Sequence, residues 1–499
     1  MDAETSTPDR LDTSSLIKAG FLFVATFALY FVSRSPGLDE YDSVQFAMGV
    51  REFNIWKHQP HPPGCPLYIF FGWLADKLFG ADPNLSLHVV SCLGGALFVA
   101  TWFLIIRLQF NEKLAWWVAT CLAITPIVWM TSTKVLTDAL TAGFFSAEIL
   151  AAIYFVKRGR LSGLLAASLF GATATGTRPQ FIFVVIIVLV VALKQRRSQM
   201  KISILAAGVI LAGCLLWLLP MWYSQARLRP DLPAWSVYPK LLYSQWTWRL
   251  HRPTTYLIAG DWSPPYLGMR FADHFGGWFG VGFGFLRSIA ALIAGIVVVS
   301  FGFAAYLFWR REPADNVFWK FHAPWALAHI ATIFVCLGAA QRYYLIIFPL
   351  LLVALLRGFL RLRMPWRLGV ATVPMLLLCI AIPVAIENHR EDAPPTQLVR
   401  YLEDLYPVSA RKNVTLLFNH ARRHVEWYAP EFVTVREIPG PEALPELTKN
   451  AAVVYTDDPE LPLPLGWRRV LMTKFSRSII VYQKHHVIPL FFIDRDNHI

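Results

Sequence analysis

The apolar residues of this chain come in long blocks, and that feature limits the possible fold more than any other. The blocks are Leu16–Phe31, Leu87–Ile106, Leu114–Met130, Val135–Val156, Leu161–Ala174, Phe181–Leu193, Ile202–Trp222, Ile289–Trp309, Val317–Leu337, Tyr343–Leu356 and Leu368–Ile386. A helix needs about 20 apolar residues to cross a bilayer. Within lipid, only helices and closed barrels satisfy their own backbone. The expected fold is mainly α, a polytopic transmembrane helical bundle of about eleven spans. Composition agrees, with 56% of 499 residues hydrophobic and 16% charged, too apolar for one soluble domain. Leu16–Phe31 lacks a basic start and a small-residue cleavage site, and acidic residues precede it. It reads as a retained first helix and not a signal peptide. The blocks on either side of Thr173–Gln180 are short, so that turn is expected below the outer surface.

Basic residues cluster at Arg107/Lys113, Lys157–Arg160, Lys194–Lys201, Trp309–Arg311 and Arg357–Arg367. These loops are short and alternate along the chain, so the positive-inside rule assigns them and the N-terminus to the cytoplasm. The Gly37–Tyr68 loop, the Lys134–Asp138 loop, the Arg178 turn, the Tyr223–Leu286 loop, Gln341–Arg342 and the tail after Glu387 then lie outside. The net charge of +13 is largely this topological signal. No nucleic-acid signature accompanies it, so the expected partner is the bilayer. The six Cys show neither a pairing pattern nor a metal-ligand spacing.

Composition changes after Ile386, which divides the chain into a membrane domain, residues 1–386, and an extracytoplasmic domain, residues 387–499. "NHREDAPPT" is a polar, Pro-rich linker. Leu398, Leu402 and Leu405 mark an amphipathic helix. "VTLLFN", "FVTVREI", "AAVVYTDD", "RRVLMTKF" and "SIIVYQK" read as strands, with helical stretches near Ala421–Tyr428 and Pro441–Lys449. The alternation predicts a small α/β soluble domain. Asp457-Asp458 ends a strand and reads as a solvated turn.

The densest polar cluster follows the first apolar block, in "GLDEYDSVQFAMGVREFNIWKHQPHPPGCPLY". From Asp42, residues Phe46, Val50 and Phe53 share one helical stripe, and Asp42, Gln45, Gly49 and Glu52 another. The pattern predicts an amphipathic helix on the outer membrane surface, apolar face down. Pro63 and Gly64 then break the chain before a second juxtamembrane segment, Pro66–Phe79.

A carboxylate loop after the first span, then a surface helix, then "HPPGCPLY", resembles the GT-C class of polytopic glycosyltransferases. The protein O-mannosyltransferase-like branch and its bacterial relatives are nearest. "TKVLTDALTAGFF" resembles their second acidic loop, and "GTRPQF" and "QRYYLIIFPLL" their Arg-bearing helix ends. The resemblance covers residues 16–385. It implies transfer of a hexosyl or pentosyl unit from a polyprenyl-phosphate donor to an acceptor hydroxyl of a glycan, protein or lipid, outside a bacterial inner membrane. Asp42, or Asp39 or Glu40 in a shifted alignment, would be the general base. Arg178, Arg342 and Tyr343 would hold the donor phosphate. Asp138 would form a second acidic site, and His58, His61 and Gln45 would line the substrate loop. Gln45 stands where close relatives carry Glu. A divalent cation such as Mg or Mn is compatible with the resemblance, and the sequence leaves that question open.

Each residue also has a bland role. Asp42 with Gln45 fits a capping box, Asp138 an N-cap, and Arg178 and Arg342 snorkelling side chains. His58 and His61 have H-x-x-H spacing, but Pro60 between them excludes the helical metal motif. The aromatic and basic loop "SVYPKLLYSQWTWRLHRPTTYLIAGDW" suits an interfacial belt, and also sugar stacking. A polysaccharide polymerase or ligase is one rival reading. A lipid-linked sugar transporter or flippase is another, and would need midplane polar residues. Away from the ends of the blocks Glu148 alone is charged, and polar groups gather at the outer ends, which favours an interfacial enzyme.

Overall fold

The structure is a computed structural model, and it describes residues 11–80, 82–197, 199–250, 262–265, 267, 302–303, 306, 313–336, 341–362, 369–435, 438, 440–477 and 487–495. Among them, seven helical segments are long and apolar enough to cross a membrane, or eight counting one bent pair. The difference from eleven has local causes. Leu161–Thr177 is only 17 residues long. Pro313–Cys336 carries Lys320, His322 and His329, which dilute its hydropathy. The block Ile289–Trp309 lies almost wholly outside the described residues. The expected Leu114–Met130 span is bent by 60°, as α5 (Glu112–Ala123) and α6 (Pro126–Ser132). Pro126 lacks the N–H that would continue α5.

The bundle is built around α4 (Pro83–Gln109) and α7 (Thr137–Arg158), with α1 (Thr13–Val32), α3 (Pro66–Phe79), α8 (Leu161–Thr177), α9 (Ile182–Arg196) and α10 (Met200–Arg227) about them. Gly94 and Gly143 let the two central backbones touch. A Cβ on Gly94 would lie 2.3 Å from Leu140 Cα, and one on Gly143 2.7 Å from the Gly94 carbonyl. Without a hydrophobic force between helices in lipid, such small-residue contacts carry the packing. The contact fixes the N-terminal end of α7, where Asp138 sits.

The short helix α2 (Tyr41–Arg51) is more fully buried than its amphipathic pattern predicts. Ser43 through Val50 are all buried, including Gln45 and Gly49 of the polar stripe. Gly49 packs against Pro60, whose Cδ would lie 2.9 Å from an added Cβ. Helices Pro66–Phe79 and Pro83–Gln109 and helix Arg422–Tyr428 of the soluble domain also pack on α2.

Helix Gly369–Arg390 carries the chain out of the bundle and leads to helix Pro394–Leu405. The domain beyond has a five-stranded sheet of β1 (Val414–Leu417), β2 (Val433–Thr434), β3 (Val453–Thr456), β4 (Arg468–Ser476) and β5 (Val487–Asp494), in the order β2-β1-β3-β5-β4. β1 runs parallel to β2 and β3, and β5 antiparallel to β3 and β4. The strand expected over Ser478–Lys484 lies outside the described residues. β5 was not expected from the sequence, because Pro489 interrupts its pattern. Leu398, Leu402, Val414, Leu416, Val425 and Leu490 are among the residues of the apolar core.

Asp457 also departs from expectation. It is fully buried, and its carboxylate accepts backbone N–H bonds from Asn419 at 2.6 Å, His420 at 2.9 Å and Ala421 at 2.7 Å. Burial raises its pKa against those bonds. Asp457 thus ties β3 to the start of helix Arg422–Tyr428, which rests on α2.

Candidate active site

Five segments of the chain, among them the start of α7 with Asp138, meet at one end of the bundle. The first is the start of α2. Glu40 is its N-cap, and the Glu40 N–H donates to Ser43 Oγ at 3.3 Å. The capping role expected of Asp42 therefore belongs to Glu40. Asp42 is the second residue of the helix, and its carboxylate is 35% exposed. Ser43 Oγ also donates to the Val135 carbonyl at 2.8 Å, which docks α2 on the loop leading into Asp138.

The second segment is the turn after α2. Asn54 pairs with Gln59 across an isolated bridge, and the Ile55 N–H donates to Gln225 Oε1 of α10 at 2.8 Å. Gly64 has φ +106, and a Cβ there would stand 2.6 Å from Ile55 Cδ1, so only glycine fits this turn. The turn brings His61 back over α2. Its Nδ1–H donates to Gln45 Oε1 at 3.0 Å and lies 3.7 Å from Asp42 Oδ1. His58 lies beside Arg423 instead, and burial together with that guanidinium lowers its pKa.

Arg178 and Arg342 come from the last two segments. Pro179 ends α8, leaving Arg178 in extended conformation at the C-cap. The 3₁₀ turn Gln341–Ile347 carries Arg342 and Tyr343. His329 Nε2–H donates to the Tyr343 carbonyl at 2.8 Å and steadies that turn.

Together they form a row of alternating charges. Arg342 Nη2 donates to Asp42 Oδ2 at 3.2 Å, and Arg342 Nε lies 3.6 Å from Asp138 Oδ2. Arg342 Nη1 lies 3.8 Å from Glu40 Oε1. Asp138 in turn accepts a hydrogen bond from Arg178 Nη1. Tyr343 backs both cations, its ring centre 4.4 Å from Arg178 Cζ and 5.5 Å from Arg342 Cζ. The row has a dry end and a wet end. Side-chain exposure is 5% at Asp138, 11% at Arg178 and 14% at Arg342, but 29% at His61 and 35% at Asp42. The wet end, at Asp42 and His61, opens to solvent. Burial raises the Glu40 pKa against Arg342 and Lys134 beside it.

Asp39 lies apart from the row. Its buried carboxylate accepts a fork from Arg477, Nη1 to Oδ2 at 3.1 Å and Nη2 to Oδ1 at 3.2 Å, and lies 3.1 Å from Lys134 Nζ. Burial alone would push its pKa up, but Arg477 and Lys134 outweigh it and hold the carboxyl below the usual range. Sequence reasoning missed Lys134 and Arg477. Lys134 could have been noticed as a lone cation between two apolar blocks. Arg477 has no such signal among Arg468, Arg469 and Lys474.

The residues do not fit a resident divalent cation. Among the described residues, no three His, Cys, Asp or Glu side chains gather to hold one. Arg342 also stands between Asp42, Glu40 and Asp138, where a metal would meet like charge.

The fold has known counterparts. This chain superposes on the crystal structure of ArnT from Cupriavidus metallidurans in the apo state with a TM-score of 0.57, at 13% identity, over 96% of this chain and 98% of that one. The shared feature is the fold, a polytopic helical bundle followed by a small α/β domain. A second match is the same ArnT bound to undecaprenyl phosphate, with a TM-score of 0.56, 13% identity and coverage of 96% and 98%. A third is the oligosaccharyltransferase of Archaeoglobus fulgidus in complex with Zn and sulfate, with a TM-score of 0.50, 13% identity and coverage of 87% and 68%. The profile of the family described as dolichyl-phosphate-mannose-protein mannosyltransferase matches residues 60–223. That match takes in His61, Asp138 and Arg178, but not Asp42 or Arg342. A search of curated proteins returns no match.

Proposed function

We propose that this GT-C chain moves a hexosyl or pentosyl unit from a polyprenyl-phosphate donor to an acceptor hydroxyl on the outer face of the bacterial inner membrane, with inversion. The observation that carries the reading is the charge row Asp42–Arg342–Asp138–Arg178 at the outer end of the bundle. Two guanidiniums side by side suit a phosphate, whose oxygens match their fork geometry. ArnT bound to undecaprenyl phosphate is a solved example of this fold with such a lipid. The matched mannosyltransferase family favours the same donor chemistry.

Before donor binding, Arg342 is shared among three carboxylates. An arriving phosphate competes for its outward Nη groups and releases Asp42. The freed carboxylate accepts the proton as the acceptor oxygen attacks the anomeric carbon. The bond from that carbon to the phosphate oxygen breaks on the opposite face, and polyprenyl phosphate departs. Arg178 and Arg342 offset the charge that grows on it, with Asp138 keeping both oriented. A phosphate is a good enough leaving group that no acid is required.

In the same reading, the loop carrying His58, His61 and Gln45 borders the acceptor, and the tail from about residue 387 forms the extracytoplasmic domain. The test is sugar release from a polyprenyl-phosphate donor by purified protein. A transporter or flippase would release none, and its finding would overturn the reading.

A further inference from the structure

Asp39, Lys134 and Arg477 bring three parts of the molecule together in one buried cluster, and the first two stand close in sequence to members of the charge row. Asp39 stands three residues before Asp42. Lys134 stands four before Asp138. Arg477 follows β4 of the soluble domain. All three side chains are nearly inaccessible, at 1%, 4% and 5% exposure. Ser35 Oγ donates to Asp39 Oδ1 at 2.5 Å. Arg477 also donates to the backbone carbonyls of Glu391 at 2.5 Å and Asp392 at 3.2 Å, and to Asn388 Oδ1 at 3.3 Å.

Helix Arg422–Tyr428 adds a second grip on the same loop. His424 Nε2–H donates to the Leu38 carbonyl at 2.9 Å, and the Leu38 N–H donates to Tyr428 Oη at 2.9 Å. Both backbone groups of the residue preceding Asp39 are thus held by the soluble domain. Arg423 Nη2 donates to the Lys57 carbonyl at 2.7 Å, beyond the far end of α2. Arg51 packs its guanidinium 3.8 Å from the Trp427 ring centre.

From this we propose that Asp39, Lys134 and Arg477 are positioning residues, through which the soluble domain sets Asp42 against Arg342 and Asp138. The proposal rests on the glycosyl-transfer reading for its kinetic consequences and on the geometry alone for its mechanical ones. A carboxylate base misplaced by about 1 Å costs about 100-fold in rate. The soluble domain is then part of the catalytic apparatus, although none of its residues enters the charge row.

The experiment compares Asp39→Asn, Arg477→Met and the triple variant Asp39→Leu/Lys134→Met/Arg477→Met with the wild-type protein. The triple removes all three buried charges together, which commonly leaves stability intact or improves it. The expected result is a kcat lowered about 10- to 100-fold in every variant, with donor KM and binding of undecaprenyl phosphate changed by less than about threefold. The triple should remain slow even where its Tm equals the wild-type value. A triple variant that recovers both Tm and kcat would reduce the cluster to a fold anchor and overturn the proposal. Hydrogen exchange supplies the arm independent of activity. Amides of residues 38–51 should exchange faster in Arg477→Met while those of α4 do not, and equal protection there would overturn the proposal even if the wild-type protein transferred no sugar.

Discussion

Arg342 Nη2 and Asp42 Oδ2 are 3.2 Å apart across a sequence separation of 300 residues. The pair joins the two ends of the membrane domain at the point where the charge row meets solvent. Asp42 is thus held by a cation and carries no capping duty, since Glu40 is the N-cap. Substitution here can separate chemistry from folding.

Asp42→Asn keeps the size of the side chain and removes proton acceptance. Turnover should fall by about 10²–10⁴-fold. Undecaprenyl phosphate should still bind, because Arg178 and Arg342 are unchanged. Single-turnover kinetics with a polyprenyl-phosphate sugar, beside lipid binding by calorimetry, would show the split. Near-normal turnover would remove Asp42 as the base.

Arg178→Ala should damage both binding and stability. The guanidinium is buried and engaged with Asp138, and breaking such a pair costs about 3–5 kcal/mol. Arg178→Met/Asp138→Leu removes both charges, and should regain most of the Tm without regaining affinity for the lipid phosphate. Recovery of both would make Arg178 a structural anchor only.

His424 gives a pH signature to the grip of the soluble domain. Burial pulls its pKa from 6.5 down to about 4, against the bond to Leu38 and the charge of Asp39. The unfolded chain therefore takes up this proton below pH 6.5, while the folded protein does not until about pH 4. Stability should fall as pH drops through that window, by up to about 3 kcal/mol from this group. Asp39 stays charged throughout, because its own pKa is held below the usual range. In His424→Gln, whose amide can still donate to Leu38, the Tm should vary less between pH 6.5 and 4. Parallel curves for the two proteins would dismiss His424 as the source.

Gly94→Val should be severe although it adds only apolar atoms. Its Cβ would lie 2.3 Å from backbone at Leu140, which no side-chain rotation can relieve. The cost should reach at least about 1–3 kcal/mol. Separation of α4 from α7 should also disturb Asp138, so Tm in detergent and turnover should fall together. A neutral effect on both would mean that the helices can part freely.

The sequence alone determined the helical bundle, the soluble α/β domain after it and the ends of the helices as the place to look. These follow from short-range patterns. Apolar blocks in lipid must satisfy their own backbone, and so become helices. Pro179 must end α8, and Gly64 must turn the chain after Pro63. The same patterns brought Asp42, His61, Asp138, Arg178 and Arg342 into consideration. Only the tertiary structure decided how their charges are shared. Asp39, Glu40 and Asp42 are near neighbours of one chemical type, yet Asp39 is committed to Arg477 and Lys134, Glu40 caps α2, and Asp42 faces the cleft. The places of Asp39 and Asp42 depend on partners 95 to 438 positions away, and a local sequence pattern carries no record of distant partners. Burial sets their strength, since water no longer screens the charges.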